Sequence, residues 1–212
     1  MTISKHTNWG VEVSPPDDLV ICQTDRDASQ LISRAFAANE PVPPIAIIKS
    51  NIARAVGKQG AVLNSPKMLA TRFDLIAIEY QDYATNKDRV FSLGYAILRN
   101  SWWRGELTGV FNTSFIGNLD FATRAHPNDG KLNLITVARQ MKLSQRLFAY
   151  RRLRLGTHLP HPDIKTSQIT KYVFDGSLDS KKRMDLYFDD QVIRSVKYCE
   201  ITVLSDALTL HW

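Results

Sequence analysis

The chain has 212 residues, 44% of them hydrophobic and 23% charged, enough to bury a sizeable core as one large domain or two small ones. Its longest apolar runs, Ile45 to Ile48 and Phe73 to Ile78, fall far short of the ~18 residues a membrane-crossing helix needs, so none is expected. A net charge of +6 favours anionic partners, and charge alone does not choose among nucleic acid, phosphorylated ligands and acidic membrane surfaces.

The opening MTISKHTNWGVEV has neither an apolar h-region nor a small-residue cleavage site, which makes the cytoplasm the expected compartment. Next, DDLVICQTDRDASQLISRAFAANEPVPPIAII reads as a βαβ unit. Leu19 to Cys22 form a strand, and Ala28, Leu31, Ile32 and Ala35 share one helical face. Pro41, Pro43 and Pro44 end the helix before a second strand, Ile45 to Ile48. A right-handed crossover makes the two strands parallel. The turn-rich GKQGAVLNSPK places a boundary between Gly57 and Phe73, dividing the chain into 1–65 and 66–212.

Beyond it the predicted strands are Phe73 to Tyr80, Val90 to Leu98, Glu106 to Ser114, Leu132 to Ala138, Ile169 to Phe174, Met184 to Phe188, Tyr198 to Leu204 and Ala207 to His211. One amphipathic helix with a basic face, MKLSQRLFAYRRLRLG, interrupts them and stops at Gly156. The fold class is thus a small α/β unit followed by a larger, mainly β, sandwich-like or barrel-like domain. Cys22 and Cys199 form neither a metal spacing nor a disulfide framework and read as small core residues.

NTSFIGNLDFATRAHPNDGKLNLITV, from Asn112 to Val137, resembles the second-domain motif of diacylglycerol kinase catalytic domains and bacterial lipid kinases, in the superfamily shared with NAD kinases. RRLRLGTHLPHPDI resembles that family's arginine-rich helix and G-x-H turn, and the likeness extends over roughly Asp74 to Trp212. PIAIIKSNIARAVG resembles the family's G-T-x-N-D-x-A-R-x-x-G segment: Ala53, Arg54 and Gly57 match, Ser50 stands for the asparagine and Asn51 for the aspartate. VICQTDRDASQLI falls where the family has a strand, GGDGT and a helix, which puts Asp25 on the motif aspartate, next to Thr24.

The resemblance implies ATP and magnesium as cofactors, with Thr24, Asp25, Ser50 and Asn51 at the nucleotide. HPNDGK resembles the family's magnesium loop, which implies Asp129 with the carbonyls of His126 and Lys131 as ligands. The alternative is an Asn-Asp-Gly turn that starts the Leu132 strand. Asp189, Asp190 and Gln191 occupy the family's D-G-E turn, so Gln191 stands where the resemblance implies a general-base glutamate. An amide takes no proton near neutral pH; Asp190 substitutes only if the turn has slipped.

Other departures concern the phosphate loop. A cradle for phosphate needs bare backbone N–H groups and φ values that glycine adopts freely, and Gln23, Thr24 and Arg26 put side chains there. Only 24 residues precede Asp25, from which half of the nucleotide domain is expected to be missing, with a separate chain or a second copy as its source.

His158 and His161 lack the spacing to aim two imidazoles at one zinc, so they are expected to support the turn. Arg146, Arg151, Arg152 and Arg154 are candidates for docking on anionic headgroups at the inner membrane face, against a solvated helix face. Trp102 and Trp103 either pack at a hairpin end or face a membrane or a lipid cleft. Two functions follow: a non-catalytic or strongly impaired lipid-kinase homologue that binds a lipid, a phosphorylated small molecule or a partner, and an active ATP-dependent lipid kinase. Nucleic acid is the minor alternative.

Overall fold

The computed structural model describes residues 10–56, 60–61, 65–84, 86–176 and 183–212. Gly57 and most of the connector at the expected boundary lie outside the described residues. β1 (Val11–Val13) precedes the βαβ unit of β2 (Val20–Thr24), α1 (Asp25–Ala38) and β3 (Ile45–Lys49), and a 3-10 turn follows at Ile52–Val56. Strands then dominate: β4 (Met68–Asp82), β5 (Lys87–Ser92), β6 (Tyr95–Arg99), β7 (Leu107–Phe111), the two-residue pair β8 (Phe115–Ile116) and β9 (Leu119–Asp120), and β10 (Leu132–Val137). After α2 (Leu143–Leu153) come β11 (Ile164–Ile169), β12 (Lys171–Asp175), β13 (Met184–Phe188) and β14 (Gln191–His211).

Most strands join one large sheet whose main path runs β1-β4-β14-β13-β6-β7-β10-β11. β2 and β3 pair in parallel, as the crossover rule requires, and β3 pairs in parallel with the end of β14, Ile45 opposite Leu210. The α/β unit is therefore hydrogen-bonded into the same sheet. Its Ile32 and Ile47 share a core with Phe73, Leu75, Phe91 and Leu210. A second cluster lies on one face of the central strands, with Ile78, Leu98, Val110, Leu186 and Ile201, and a third lies under α2, with Ile97, Leu107, Phe111 and Ile135. Cys22 and Cys199 are both buried and free.

Predicted strands are split or joined at three places, and polar side chains account for two of these. Val90 to Leu98 is split at Leu93 and Gly94 because the Asp189 carboxylate takes both of their N–H groups, at 2.6 and 3.1 Å. Tyr198 to Leu204 and Ala207 to His211 are one strand with an irregularity between Leu204 and Leu208. There Asp206 adopts φ 52 and gives its N–H to Asp74 at 2.8 Å. Ile169 to Phe174 divides at Thr170 into the end of β11 and the start of β12.

Gly109 lets the ring of Phe111 lie across the sheet, since a Cβ at 109 would meet that ring inside van der Waals distance. Gly109→Ala is expected to destabilise the fold by about 1–3 kcal/mol through overpacking, read as a lower denaturant midpoint. An unchanged midpoint would place the ring elsewhere.

Candidate functional site

β2 runs without a loop into α1. Thr24 is extended (φ −137, ψ 163) and caps the helix: its hydroxyl accepts the Asp27 N–H at 3.2 Å, and the Asp27 carboxylate accepts the Thr24 N–H at 3.0 Å. This reciprocal capping box fills the helix start with the chain's own side chains. The carboxylates of Asp25 and Asp27 lie in the first helical turn, where they suit the positive end of the helix dipole. No residue from Gln23 to Arg26 adopts a positive φ, so the bend of a glycine loop is not formed.

Asp25 turns inward and is buried. Its carboxylate accepts the Ser50 hydroxyl at 2.6 Å and the Asn51 N–H at 2.8 Å, while Ser50 Oγ accepts the Ala53 N–H at 3.0 Å. The structure thus brings together Asp25, Ser50 and Asn51, and they bind one another, clasping the 3-10 turn to α1. Burial, with the nearby Asp189 charge adding to it against the hydrogen bonds, pushes the Asp25 carboxyl up to about 7.

One helical turn on, Ser29 Oγ donates to Asp189 at 2.5 Å, and Gln30 Nε2 donates to Gln191 Oε1 at 3.2 Å. Burial pushes the Asp189 carboxyl up as well. The turn is a two-residue hairpin in which Asp189 (φ 37) and Asp190 (φ 58) are left-handed and Phe188 faces Gln191. Asp190 therefore sits at a glycine-like position of the turn, one residue before Gln191. Its N–H donates to Tyr95 Oη at 3.1 Å at the surface.

The 126–131 segment is anchored by Asp74, a residue that the apolar run FDLIAI conceals. Fully buried, Asp74 accepts the N–H groups of Gly130 and Asp206, each at 2.8 Å, and gives its own N–H to Pro127 O at 2.8 Å. Asp129 is exposed and accepts the Lys131 N–H at 2.9 Å, forming an Asx turn around left-handed Gly130. A hard cation there would take Asp129 and main-chain oxygens, a donor set that suits magnesium. Among the described residues, no three His, Cys, Asp or Glu side chains converge on a metal position.

Under α2, against the sheet face of Leu107, Phe111 and Ile135, lies a cavity of about 370 Å³. α2 contributes Ala149 and Leu153, and Arg146 and His158 are the polar side chains in a wall that is otherwise aliphatic or aromatic. Trp102, Trp103 and Tyr150 line it and are also exposed, which puts them at its mouth. His158 is buried, and burial pushes its pKa down, so it enters the wall as a neutral ring. His161 Nδ1 accepts the Asp163 N–H at 3.1 Å, a local turn contact. A neighbouring depression of about 630 Å³ shares Ile135 and Ile164 but is more polar, with Asn133, Thr166 and Gln168.

Arg146 departs from the expected basic surface. It is buried, and its guanidinium donates to Met141 O at 3.2 Å, to Ala138 O at 2.9 Å, to Trp102 O at 3.4 Å and to Gly105 O. Arg151, Arg152 and Arg154 are exposed. Nothing in the one-dimensional spacing distinguishes the buried arginine from the exposed ones, and the cavity itself is assembled from strands and loops far apart in sequence.

No known protein-family profile matches this chain, and no curated protein does. Solved structures do match. A diacylglycerol kinase from Bacillus anthracis str. Sterne aligns with TM-score 0.60 and 12% identity over 91% of this chain and 77% of that one. Another structure under that enzyme name from the same organism gives TM-score 0.62 and 14% identity with the same coverage. The chain, mostly strands around one large sheet with two α-helices among the described residues, therefore has the fold of these diacylglycerol kinase structures.

Proposed function

We propose that this protein is a lipid-kinase-like protein that binds a lipid chain in the cavity under α2 and has lost, or strongly weakened, phosphoryl transfer. The observation that carries the reading is a contrast between two sites: an apolar cavity of about 370 Å³ lies under α2, while the start of α1, where the phosphate loop is expected, is filled by the Thr24–Asp27 capping box. Phosphoryl transfer depends on positioning and charge stabilisation, and side chains, acidic ones among them, stand where phosphate contacts belong. Gln191 supplies no base at the turn.

The cavity lies in the size range of ligand pockets, and acyl chains gain ~0.8 kcal/mol per buried methylene. Ala149→Trp, which displaces about three methylenes, is expected to weaken binding of a fluorescent acyl-chain analogue roughly fiftyfold. ATP with magnesium should leave the melting temperature unchanged up to millimolar concentration, the weak end of the affinity scale. Undiminished analogue binding by the tryptophan variant would remove the lipid reading.

One observation favours the alternative of an active ATP-dependent lipid kinase: a carboxyl raised to about 7, that of Asp25, is matched to proton abstraction near neutral pH. Turnover of a diacylglycerol-like hydroxyl that disappears in Asp25→Asn would establish it.

A further inference from the structure

We propose that the outer face of α2, together with the Trp102–Trp103 loop, docks on an anionic bilayer surface, setting the cavity mouth against the leaflet. What it delivers rests on the lipid-binding reading; the contact itself rests on a different observation. Seven of the twelve exposed large hydrophobic side chains among the described residues fall on this one region. Leu143, Leu147 and Phe148 lie along α2, with Phe148 59% exposed, and Leu155 just beyond it is 78% exposed. Trp102, Trp103 and Tyr150 complete the set at the mouth.

Cations surround these apolar groups. From Arg139 to Pro162 the chain has six Lys and Arg residues and no Asp or Glu. With Arg146 buried, Arg139, Lys142, Arg151, Arg152 and Arg154 remain exposed, and Arg152 lies 5.1 Å from the Phe148 ring centroid. An apolar stripe flanked by cations fits an interface that is anionic at the headgroups and apolar beneath them. A nucleic acid backbone would use the arginines and leave Leu143, Leu147 and Leu155 in water.

The surface is also held in shape before it meets a partner. Arg146 ties the Trp102 loop to α2 through the carbonyls of Trp102, Gly105, Ala138 and Met141. The Trp103 and Tyr150 rings meet edge to face at 5.8 Å, and the Arg99 guanidinium lies 4.0 Å from the Trp102 ring centroid. Aromatic rings so placed suit the headgroup level of a membrane.

The test is flotation of the full chain with vesicles of phosphatidylcholine alone or mixed with phosphatidylglycerol. Binding is expected only to the mixed vesicles, weakening with salt. It should fall more than about tenfold in Arg151→Glu/Arg152→Glu, at about fivefold per cation, and likewise in Leu147→Ser/Phe148→Ser. Undiminished binding by either variant would overturn docking through this face. So would tighter binding to a mixed-sequence oligonucleotide, or a dimer in light scattering that Leu147→Ser/Phe148→Ser dissolves. Ala149→Trp separates the two ideas: vesicle binding with a blocked cavity supports docking alone. Loss of docking with intact uptake of a detergent-dispersed acyl analogue sinks docking and leaves the lipid reading standing.

Discussion

Asp25→Asn is expected to make the protein more stable at pH 8 and to leave it nearly unchanged at pH 4. The folded chain holds this carboxyl at about 7, against an ordinary value of 3.8, because burial disfavours the charge and Asp189 adds to the effect. Below about pH 4 the folded and unfolded states both carry the proton, and the group costs nothing. As pH rises from about 4 to about 7 the unfolded chain releases the proton first, so stability falls; above 7 the full penalty is present. A proton held about a thousandfold more tightly in the native state corresponds to ~4 kcal/mol. Asparagine keeps an acceptor for the Asn51 N–H and a polar partner for Ser50. Urea denaturation of both proteins at pH 5 and pH 8 measures the effect, with a wild-type loss that the variant recovers in part. Asp189, also raised by burial, retains some pH dependence in both. Equal stability of the wild-type protein at the two pH values would mean that Asp25 is ionised in a solvated setting.

Arg146→Leu is expected to destabilise the protein by about 2–4 kcal/mol, because carbonyls that now share one guanidinium lose a charged donor. The same change should shift tryptophan emission, since the loop carrying Trp102 and Trp103 loses its tie to α2. Arg146→Lys should recover little: a single ammonium cannot address carbonyls from residues 102, 105, 138 and 141 together. Denaturant titration followed by fluorescence reads both effects, and a lysine variant as stable as the wild type would refute the account. If the docking surface described above depends on this tie, both variants also bind anionic vesicles less tightly.

Cys22 and Cys199 are where a reading of two small core residues puts them, and the βαβ unit follows its periodicity, since α1 buries Ala28, Ile32 and Ala35 as the helical face requires. The capping box was within reach of sequence reasoning, because Thr24 and Asp27 have the required spacing. The splitting of Val90 to Leu98 was not. It depends on Asp189, ninety-five residues from Gly94, and a strand's own pattern says nothing about which side chain will take its N–H groups. Asp74 was legible only as an acid within an apolar run; that it collects the N–H groups of Gly130 and Asp206 needs both partners in place.

Sequence alone determined the local elements that a repeating pattern of apolar residues imposes, and it located the missing glycines around Asp25, because φ restrictions belong to single residues. Tertiary structure decided the rest. It turned Asp25 inward onto Ser50 and Asn51, separated Arg146 from Arg151, Arg152 and Arg154, and opened a cavity between α2 and the sheet. Burial and cavities are properties of surfaces brought together from distant parts of the chain, and identical residues acquire opposite roles according to which of those surfaces they meet.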